Sequence, residues 1–239
     1  MLFSFLSSGD FRSALISILL TLPIILIALS FHEAAHAYAA YKMGDRTAFN
    51  LGRVTFNPIK HIDPMGFLCM LIFGYGWAKP VPINSRNFNN PRKGMALTAL
   101  AGPLTNFILG VVSVLLYSLT LHIINIESVI LMLVENELAF NIATVLLSFF
   151  YLSSLYNLLL MVFNLIPVPP FDGSRIINVF LPPKLYFSIM KYERYTLFIV
   201  LGISFICSRA FNFSPFFWVA EKLFDLLLSL ANMLFGLLF

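Results

Sequence analysis

Three long apolar stretches, at residues 12–41, 94–121 and 138–162, most constrain how this chain can fold. The longest forms a helix of roughly 45 Å if it is about 30 residues long, so it can cross a bilayer once but not twice. Only 11% of the 239 residues are charged, far below the fraction typical of soluble domains. We therefore predict an all-α polytopic membrane protein with about four to six transmembrane helices, counting shorter apolar stretches at 195–208 and 216–239.

Charged residues between these stretches indicate which side of the membrane each loop faces. Segment 44–93 has an excess of lysine and arginine, whereas segment 122–137 has glutamates but neither basic residue. Because cytoplasmic loops are enriched in lysine and arginine, we place the first segment in the cytoplasm and the second outside. This topology explains the net charge of +4, so no nucleic-acid partner is expected.

Prolines and glycines divide segment 44–93 and exclude a long helix from it. Two pieces, 53–56 and 81–83, have a strand-like composition, and the apolar piece 67–73 is too short to span a bilayer. We therefore expect a small membrane-re-entrant β-hairpin near residues 50–84, covered by protein or lining a wet cavity. Its strands would offer edges on which an unwound substrate segment could pair.

The first apolar stretch contains His32-Glu33-Ala-Ala-His36 near its end. Residues four apart share one face of a helix, so the two histidines can offer nitrogens to one metal ion, with Glu33 about 100° round the helix. This pattern is typical of zinc hydrolases, in which the glutamate acts as a base. Short motifs also arise by chance, but ionisable residues within a membrane span are costly and indicate a functional site.

A catalytic zinc site typically uses three protein ligands, and Asp172 is the best candidate for the third. The third apolar stretch runs from outside to inside, so it delivers Asn164 and Asp172 to the cytoplasmic end, near the depth of His36. Prolines before Asp172 fix its approach, and Gly173 allows the backbone to come close. The sequence therefore predicts a metal site built from two distant parts of the chain.

Two alternatives to this ligand assignment stay open. Asp172 could instead cap a helix that begins near Ser174, a common role for aspartate. His61 or Asp63 in the basic segment could supply the third ligand, although Asp63 also fits a turn.

The second apolar stretch includes Ala101-Gly-Pro-Leu-Thr-Asn106. Small residues allow a neighbouring helix to approach closely, and polar side chains can hydrogen-bond to it. We expect Thr105 and Asn106 to stabilise helix packing and not to take part in chemistry.

Four motifs in combination resemble the site-2 protease family of intramembrane zinc metalloproteases. They are His32-Glu33-x-x-His36, Gly76-Trp-Ala-Lys-Pro80, Gly102-x-x-x-Asn106 and Asn164-Leu-Ile-Pro-Val-Pro-Pro-Phe-Asp172-Gly173. The resemblance covers about residues 12–180 and is to the compact bacterial and archaeal branch without a PDZ domain, because no insertion of domain size is present.

The resemblance implies roles for individual residues. His32, His36 and Asp172 are expected to bind one Zn²⁺ ion per chain, and Glu33 is expected to be the general base. Asn164 is expected to hold the substrate backbone or the oxyanion. The family also has re-entrant β-structure in the segment that resembles residues 50–84.

We therefore predict one integral-membrane protease domain over residues 1–239, with a core at 12–180 and C-terminal helices at 195–239. It is expected to lie in the cell membrane as a multi-pass protein, with its active site towards the cytoplasm. Its expected partners are the lipid bilayer and a transmembrane protein, which it would cut within or near a membrane-spanning segment. The alternative is a metal or proton transporter that uses the same cluster, but transporters commonly have repeated halves, and the sequence has no internal repeat.

Overall fold

The computed structural model describes residues 11–73, 76–177 and 179–237. Most of these residues are helical, with a 3₁₀ turn at Ser85–Asn87. The helices are α1 (Phe11–Lys42), α2 (Thr47–Asn50), α3 (Pro58–His61), α4 (Pro64–Phe73), α5 (Pro91–Ile124), α6 (Glu127–Glu135), α7 (Glu137–Asn164), α8 (Asp172–Ile177), α9 (Pro183–Met190), α10 (Glu193–Ala210) and α11 (Pro215–Gly236).

Helices α1, α5 and α7 pack against one another and form the centre of the fold, and α8 packs on α5. Small residues allow this close approach: a Cβ atom added at Gly110 of α5 would lie 3.0 Å from Leu158 of α7. Helix α11 covers α5 and α7, and its Ala220 and Phe224 belong to the same buried cluster as Leu158. The C-terminal helix is therefore part of the bundle.

Among the described residues, α1, α5 and α7 are long and apolar enough to cross a membrane. The predicted all-α membrane protein is thus confirmed. The predicted count of four to six spans is wrong for these residues, because charges interrupt the two remaining long helices. Helix α11 carries Glu221, Lys222 and Asp225 in its first half. Helix α10 carries Glu193 and Arg194 at its start and Arg209 near its end.

The predicted β-hairpin near residues 50–84 is also wrong. Within the described part of this region, the structure has α3, α4 and one isolated antiparallel bridge, between Ile62 and Ala78. The reason lies in two Asx-Pro pairs that begin helices. The Asn57 side chain accepts a hydrogen bond from the Ile59 N–H at 3.1 Å, and Asp63 accepts one from the Gly66 N–H at 2.8 Å.

The segment after α1 folds back along that helix and is fixed by Asp45. This carboxylate is fully buried and accepts hydrogen bonds from the Asn84 N–H at 2.7 Å, the Asn87 side chain at 2.8 Å and Thr47. The anchored segment carries Val81 alongside the histidine motif of α1.

Candidate metal centre

The two histidines of the motif lie one turn apart on α1, and Asp172 lies in the first turn of α8. The Nε2 atoms of His32 and His36 are 2.9 Å apart. Oδ2 of Asp172 lies 3.2 Å from the first nitrogen and 3.1 Å from the second. All three side chains are buried, so the structure brings two nitrogens and one carboxylate oxygen to a common point inside the protein.

The other ring nitrogens are occupied by hydrogen bonds to α5. Nδ1 of His32 lies 2.6 Å from Oδ1 of Asn106, and Nδ1 of His36 lies 2.7 Å from the carbonyl oxygen of Thr98. Both partners are acceptors, so each Nδ1 carries the hydrogen and donates it. This tautomer leaves the Nε2 lone pairs for a metal, and it fixes the orientation of both rings.

Asn106 is itself held in place by further buried hydrogen bonds. Its Nδ2 donates to the Ala28 carbonyl oxygen at 3.2 Å and to Oδ1 of Asn157 at 3.0 Å, and Asn157 donates in turn to the Ser153 carbonyl oxygen at 2.8 Å. Asn106 therefore links three helices, as expected, and also contacts His32, which sequence reasoning did not predict. Asn157 was missed, although a polar amide in the middle of an apolar span is a usable signal.

Gly102 of α5 lies directly against the two histidines. A Cβ atom at this position would come within 2.5 Å of Nε2 of His36 and 2.6 Å of Nε2 of His32. Such distances are shorter than any ordinary contact, so a side chain would displace the rings. The absence of a side chain at this residue leaves room at the point where the donor atoms meet.

Asp172 reaches the histidines because the chain turns tightly after α7. A Cβ atom at Gly173 would collide with the carbonyl oxygens of Leu165 and Ile166, so this turn tolerates only glycine. The expected close approach of the backbone at Gly173 is thus found. Helix α8 begins at Asp172 itself and not at Ser174.

The Asp172 carboxylate faces the histidines. Among the described residues it accepts no hydrogen bond from a backbone amide, which the capping alternative would require. A metal ion held between these three donor atoms would keep the carboxylate ionised, as a metal ligand must be.

The other two candidate ligands have separate roles. Nε2 of His61 donates to the Thr55 carbonyl oxygen at 2.7 Å, and Asp63 begins α4 by accepting from the Gly66 N–H. Neither belongs to the group of side chains that can share a metal with Asp172.

Glu33 and Asn164 lie outside that group of three. Oε2 of Glu33 accepts a hydrogen bond from the Val81 N–H at 3.0 Å, and the side chain is half-buried. Nδ2 of Asn164 donates to the Leu160 carbonyl oxygen at 3.0 Å at the end of α7. The structure therefore does not join Asn164 to the three converging side chains.

The sequence profile of peptidase family M50 matches residues 20–205, a range that includes all five predicted site residues. The chain belongs to peptidase family M50. This is the family of site-2 proteases, so the predicted intramembrane zinc metalloprotease is confirmed, and no observation favours a transporter.

Individual relatives agree with the family match. YwhC of Bacillus subtilis (strain 168), named as a candidate zinc metalloprotease, is 41% identical over 182 residues, which cover 76% of this chain and 78% of YwhC. Rip2 of Mycobacterium tuberculosis (strain H37Rv) is 26% identical over 84% of this chain and 71% of its own length. Rip2 of Mycolicibacterium smegmatis is 26% identical over 74% of this chain and 62% of its own length. No solved structure matches the chain significantly.

The donor set of this M50 protease fits zinc. Two neutral imidazole nitrogens and an ionised carboxylate oxygen are ligands that zinc accepts, and a catalytic zinc site keeps one further position open. The fixed tautomers of the histidines and the space beside Gly102 both suit such an ion.

Proposed function

We propose that His32, His36 and Asp172 hold the zinc ion of this M50 protease, and that Glu33 and Asn164 act beside it on a transmembrane protein substrate. The observation that carries this proposal is the approach of the three donor atoms to within 3.2 Å in a buried site. These residues would hold the ion where it would polarise the scissile carbonyl group and lower the pKa of a water molecule towards neutrality.

Glu33 is the general base. Its carboxylate takes a proton from the attacking water as the water oxygen bonds to the scissile carbonyl carbon, and then gives that proton to the leaving amine. The hydrogen bond from the Val81 N–H to Oε2 orients the carboxylate and leaves Oε1 for the proton.

Asn164 binds the substrate backbone or the oxyanion. One amide hydrogen of its side chain is used in the hydrogen bond to the Leu160 carbonyl oxygen, which fixes the side chain at the end of α7. The second amide hydrogen remains for a substrate oxygen, where it stabilises the negative charge that develops during attack.

The substrate must unwind locally before it is cut. All backbone carbonyl groups in the middle of a transmembrane helix are hydrogen-bonded within the helix, so a scissile carbonyl is not accessible until those bonds break. Substrates with glycine or proline near the cleavage site should therefore be cut faster than uninterrupted helices.

The protease lies in the cell membrane, with its active site towards the cytoplasm. Two observations support this orientation: the histidine motif is close to the end of α1 at Lys42, and the segment that follows is rich in lysine and arginine. The packing of α11 on α5 and α7 supports a single protease domain over residues 1–239, with a core at 12–180 and C-terminal helices at 195–239.

Glu33→Gln tests the catalytic assignment. The purified variant should keep one zinc per chain and lose cleavage of a transmembrane peptide, because glutamine cannot accept the proton. Glu127→Gln, an exposed change at the start of α6, is the matched control and should cut normally. Cleavage by Glu33→Gln at the wild-type rate would refute the role of Glu33.

Thiol labelling tests the orientation. The two variants Glu127→Cys and Arg86→Cys are made in a chain from which Cys69 and Cys207 have been removed. In intact cells, a membrane-impermeant maleimide should modify Glu127→Cys and should not modify Arg86→Cys. The reverse pattern would place the active site on the other side of the membrane.

A further inference from the structure

A second site lies in the segment between α1 and α5, apart from the metal centre. It is an open cavity of about 420 Å³, a volume within the range of small-molecule sites. Arg53, Lys60 and Lys79 line it together with apolar side chains and prolines, and no acidic residue in the described part of the chain contributes to the lining. The cavity therefore presents three positive charges with nothing to balance them.

Arg53 is the central residue of this cavity. Only 6% of it is exposed, and its Nη2 donates to the Lys79 carbonyl oxygen at 2.6 Å. Its Nε is buried and has no hydrogen-bond partner among the described residues. A buried guanidinium with an unused N–H group is unfavourable unless an acceptor oxygen completes its hydrogen bonds, and a phosphate can supply such an oxygen.

No described carboxylate pairs directly with these basic groups, although the charge of Glu33 acts on His61 beside Arg53 and partly offsets the lowering of its pKa. In the described ranges, neither Arg53, Lys60 nor Lys79 forms an ion pair with a carboxylate. His61 lies 3.5 Å from Nη2 of Arg53, and burial together with the Arg53 charge lowers the pKa of His61, so this ring is neutral near pH 7. The positive charge therefore belongs to the arginine and the two lysines.

Apolar side chains border the same cavity. Ile59 is 79% exposed and Leu51 is 60% exposed, although both line it. Exposed aliphatic groups beside basic groups are suited to the boundary between lipid headgroups and acyl chains. A soluble anion would use the basic residues alone and would leave these apolar groups without a partner.

We propose that this cavity binds a phosphate group, carried by the headgroup of an anionic phospholipid. The Arg53 guanidinium and the two lysine ammonium groups contact the phosphate oxygens, and the acyl chains lie against Leu51 and Ile59. Arginine suits phosphate because its planar group presents several N–H donors to the oxygens together.

Headgroup binding also has a consequence for cleavage, which rests on the proposed role of Glu33. Lys79 and Arg53 hold the chain just before Val81, whose N–H orients the Glu33 carboxylate. A bound headgroup therefore stabilises the segment that positions the general base. Cleavage should increase when anionic lipid is present, without any change in zinc content.

Tryptophan quenching tests the site without relying on activity. The chain has two tryptophans, so Trp218→Phe leaves only Trp77, which is half-exposed and two residues from Lys79. The protein is reconstituted in phosphatidylcholine vesicles with a small mole fraction of brominated phosphatidylglycerol or brominated phosphatidylcholine. With the wild-type residues at the cavity, brominated phosphatidylglycerol should quench Trp77 fluorescence more strongly than brominated phosphatidylcholine.

Lys60→Gln with Lys79→Gln should abolish this preference. The expected loss is roughly 25-fold in relative affinity, because each lysine near an anionic lipid contributes about fivefold. Lys93→Gln with Lys184→Gln removes the same charge from exposed sites that do not line the cavity, and should keep the preference. Wild-type zinc content verifies folding, and the single variant Lys60→Gln serves if the double variant does not fold.

Inorganic phosphate and an acidic peptide, each at matched ionic strength, distinguish the ligands. Equal quenching by the two lipids, with no effect of phosphate, would overturn the proposal. Phosphate binding without any lipid preference would keep the phosphate chemistry but refute the lipid as its source. Displacement of the lipid by the peptide and not by phosphate would show a carboxylate site instead.

Discussion

The metal centre and the segment between α1 and α5 lie against the same helix but are held in different ways. The proposed ligands His32 and His36 are fixed by buried acceptors on α5, inside the bundle of long apolar helices. The segment is fixed mainly by the Asp45 carboxylate beyond the end of α1, and it supplies Val81 to the proposed base, Glu33.

This difference separates metal binding from proton transfer. Ligands with several buried hydrogen bonds have little freedom, as a metal site requires. The carboxylate of the proposed base depends on a segment of short helices and irregular backbone, which costs less to rearrange. Changes in the bundle should therefore act on zinc, whereas changes in the segment should act on cleavage with zinc retained.

The largest effect is expected for Asp172→Ala. Removing one of the three proposed ligands should lose most of the zinc, and cleavage should fall by roughly 1,000-fold or more, because a bound metal supplies several kcal/mol of transition-state stabilisation. Metal analysis and cleavage of a transmembrane peptide measure both effects. Asp225→Ala, at an exposed carboxylate of α11, is the control. Unchanged zinc in Asp172→Ala would show that Asp172 is not a ligand.

Gly102→Ala should act on the same site without touching a ligand. The new Cβ atom lies within 2.6 Å of both Nε2 atoms, so the rings must shift, and a shift of about 1 Å can reduce the rate roughly 100-fold. Helix propensity favours alanine, so the loss cannot come from α5 itself. Gly202→Ala, where nothing lies within 4 Å, should have wild-type activity. A fully active Gly102→Ala would mean that the rings are not constrained.

Asn106→Ala should have a smaller effect, on zinc affinity. It removes the acceptor that orients His32, and loss of such a partner typically costs about tenfold or more in metal affinity. Competition with a chelator measures the change. Thr105→Ala, one residue away and half-buried, provides the comparison. Equal zinc affinity in the two variants would show that the hydrogen bond between His32 and Asn106 does not contribute to zinc affinity.

The three spans were predictable because apolar length is a strong signal. The stretches at 12–41, 94–121 and 138–162 correspond to α1, α5 and α7 within three residues at each end. The segment at 50–84 was not predictable in the same way, because Asn-Pro and Asp-Pro pairs mark both turns and helix starts. Only tertiary packing decides between these outcomes.

The residues of the site also differ in whether the sequence predicts their contacts. Helical spacing alone places His32 and His36 together, and charge asymmetry assigns Asp172 to the same side of the membrane. The contact of Asn106 with His32 and with Asn157 joins residues far apart in the sequence. No local pattern in one sequence contains such pairings, so the orienting hydrogen bonds had to come from the structure.

Asp45→Asn tests the segment between α1 and α5. It should leave the zinc content unchanged, the smallest effect on zinc among these variants. Its carboxylate accepts hydrogen bonds from Thr47, Asn84 and Asn87, and an amide cannot accept all of them. Cleavage should fall severalfold, because Val81 no longer fixes Glu33, and stability should fall by about 1–3 kcal/mol near pH 7. Asp63→Asn, at another helix start, is the control.

The stability difference at Asp45 should depend on pH in a defined direction. Burial would raise the pKa of Asp45, but its hydrogen bonds lower that pKa below the ordinary value. A depressed folded-state pKa contributes stability above the unfolded pKa of about 4, and this contribution disappears as pH falls through the folded-state value. The wild type should therefore unfold at a higher temperature than Asp45→Asn at pH 7, and the difference in unfolding temperature should disappear in acid. A gap that widened in acid would mean that the ionised carboxylate does not hold the segment.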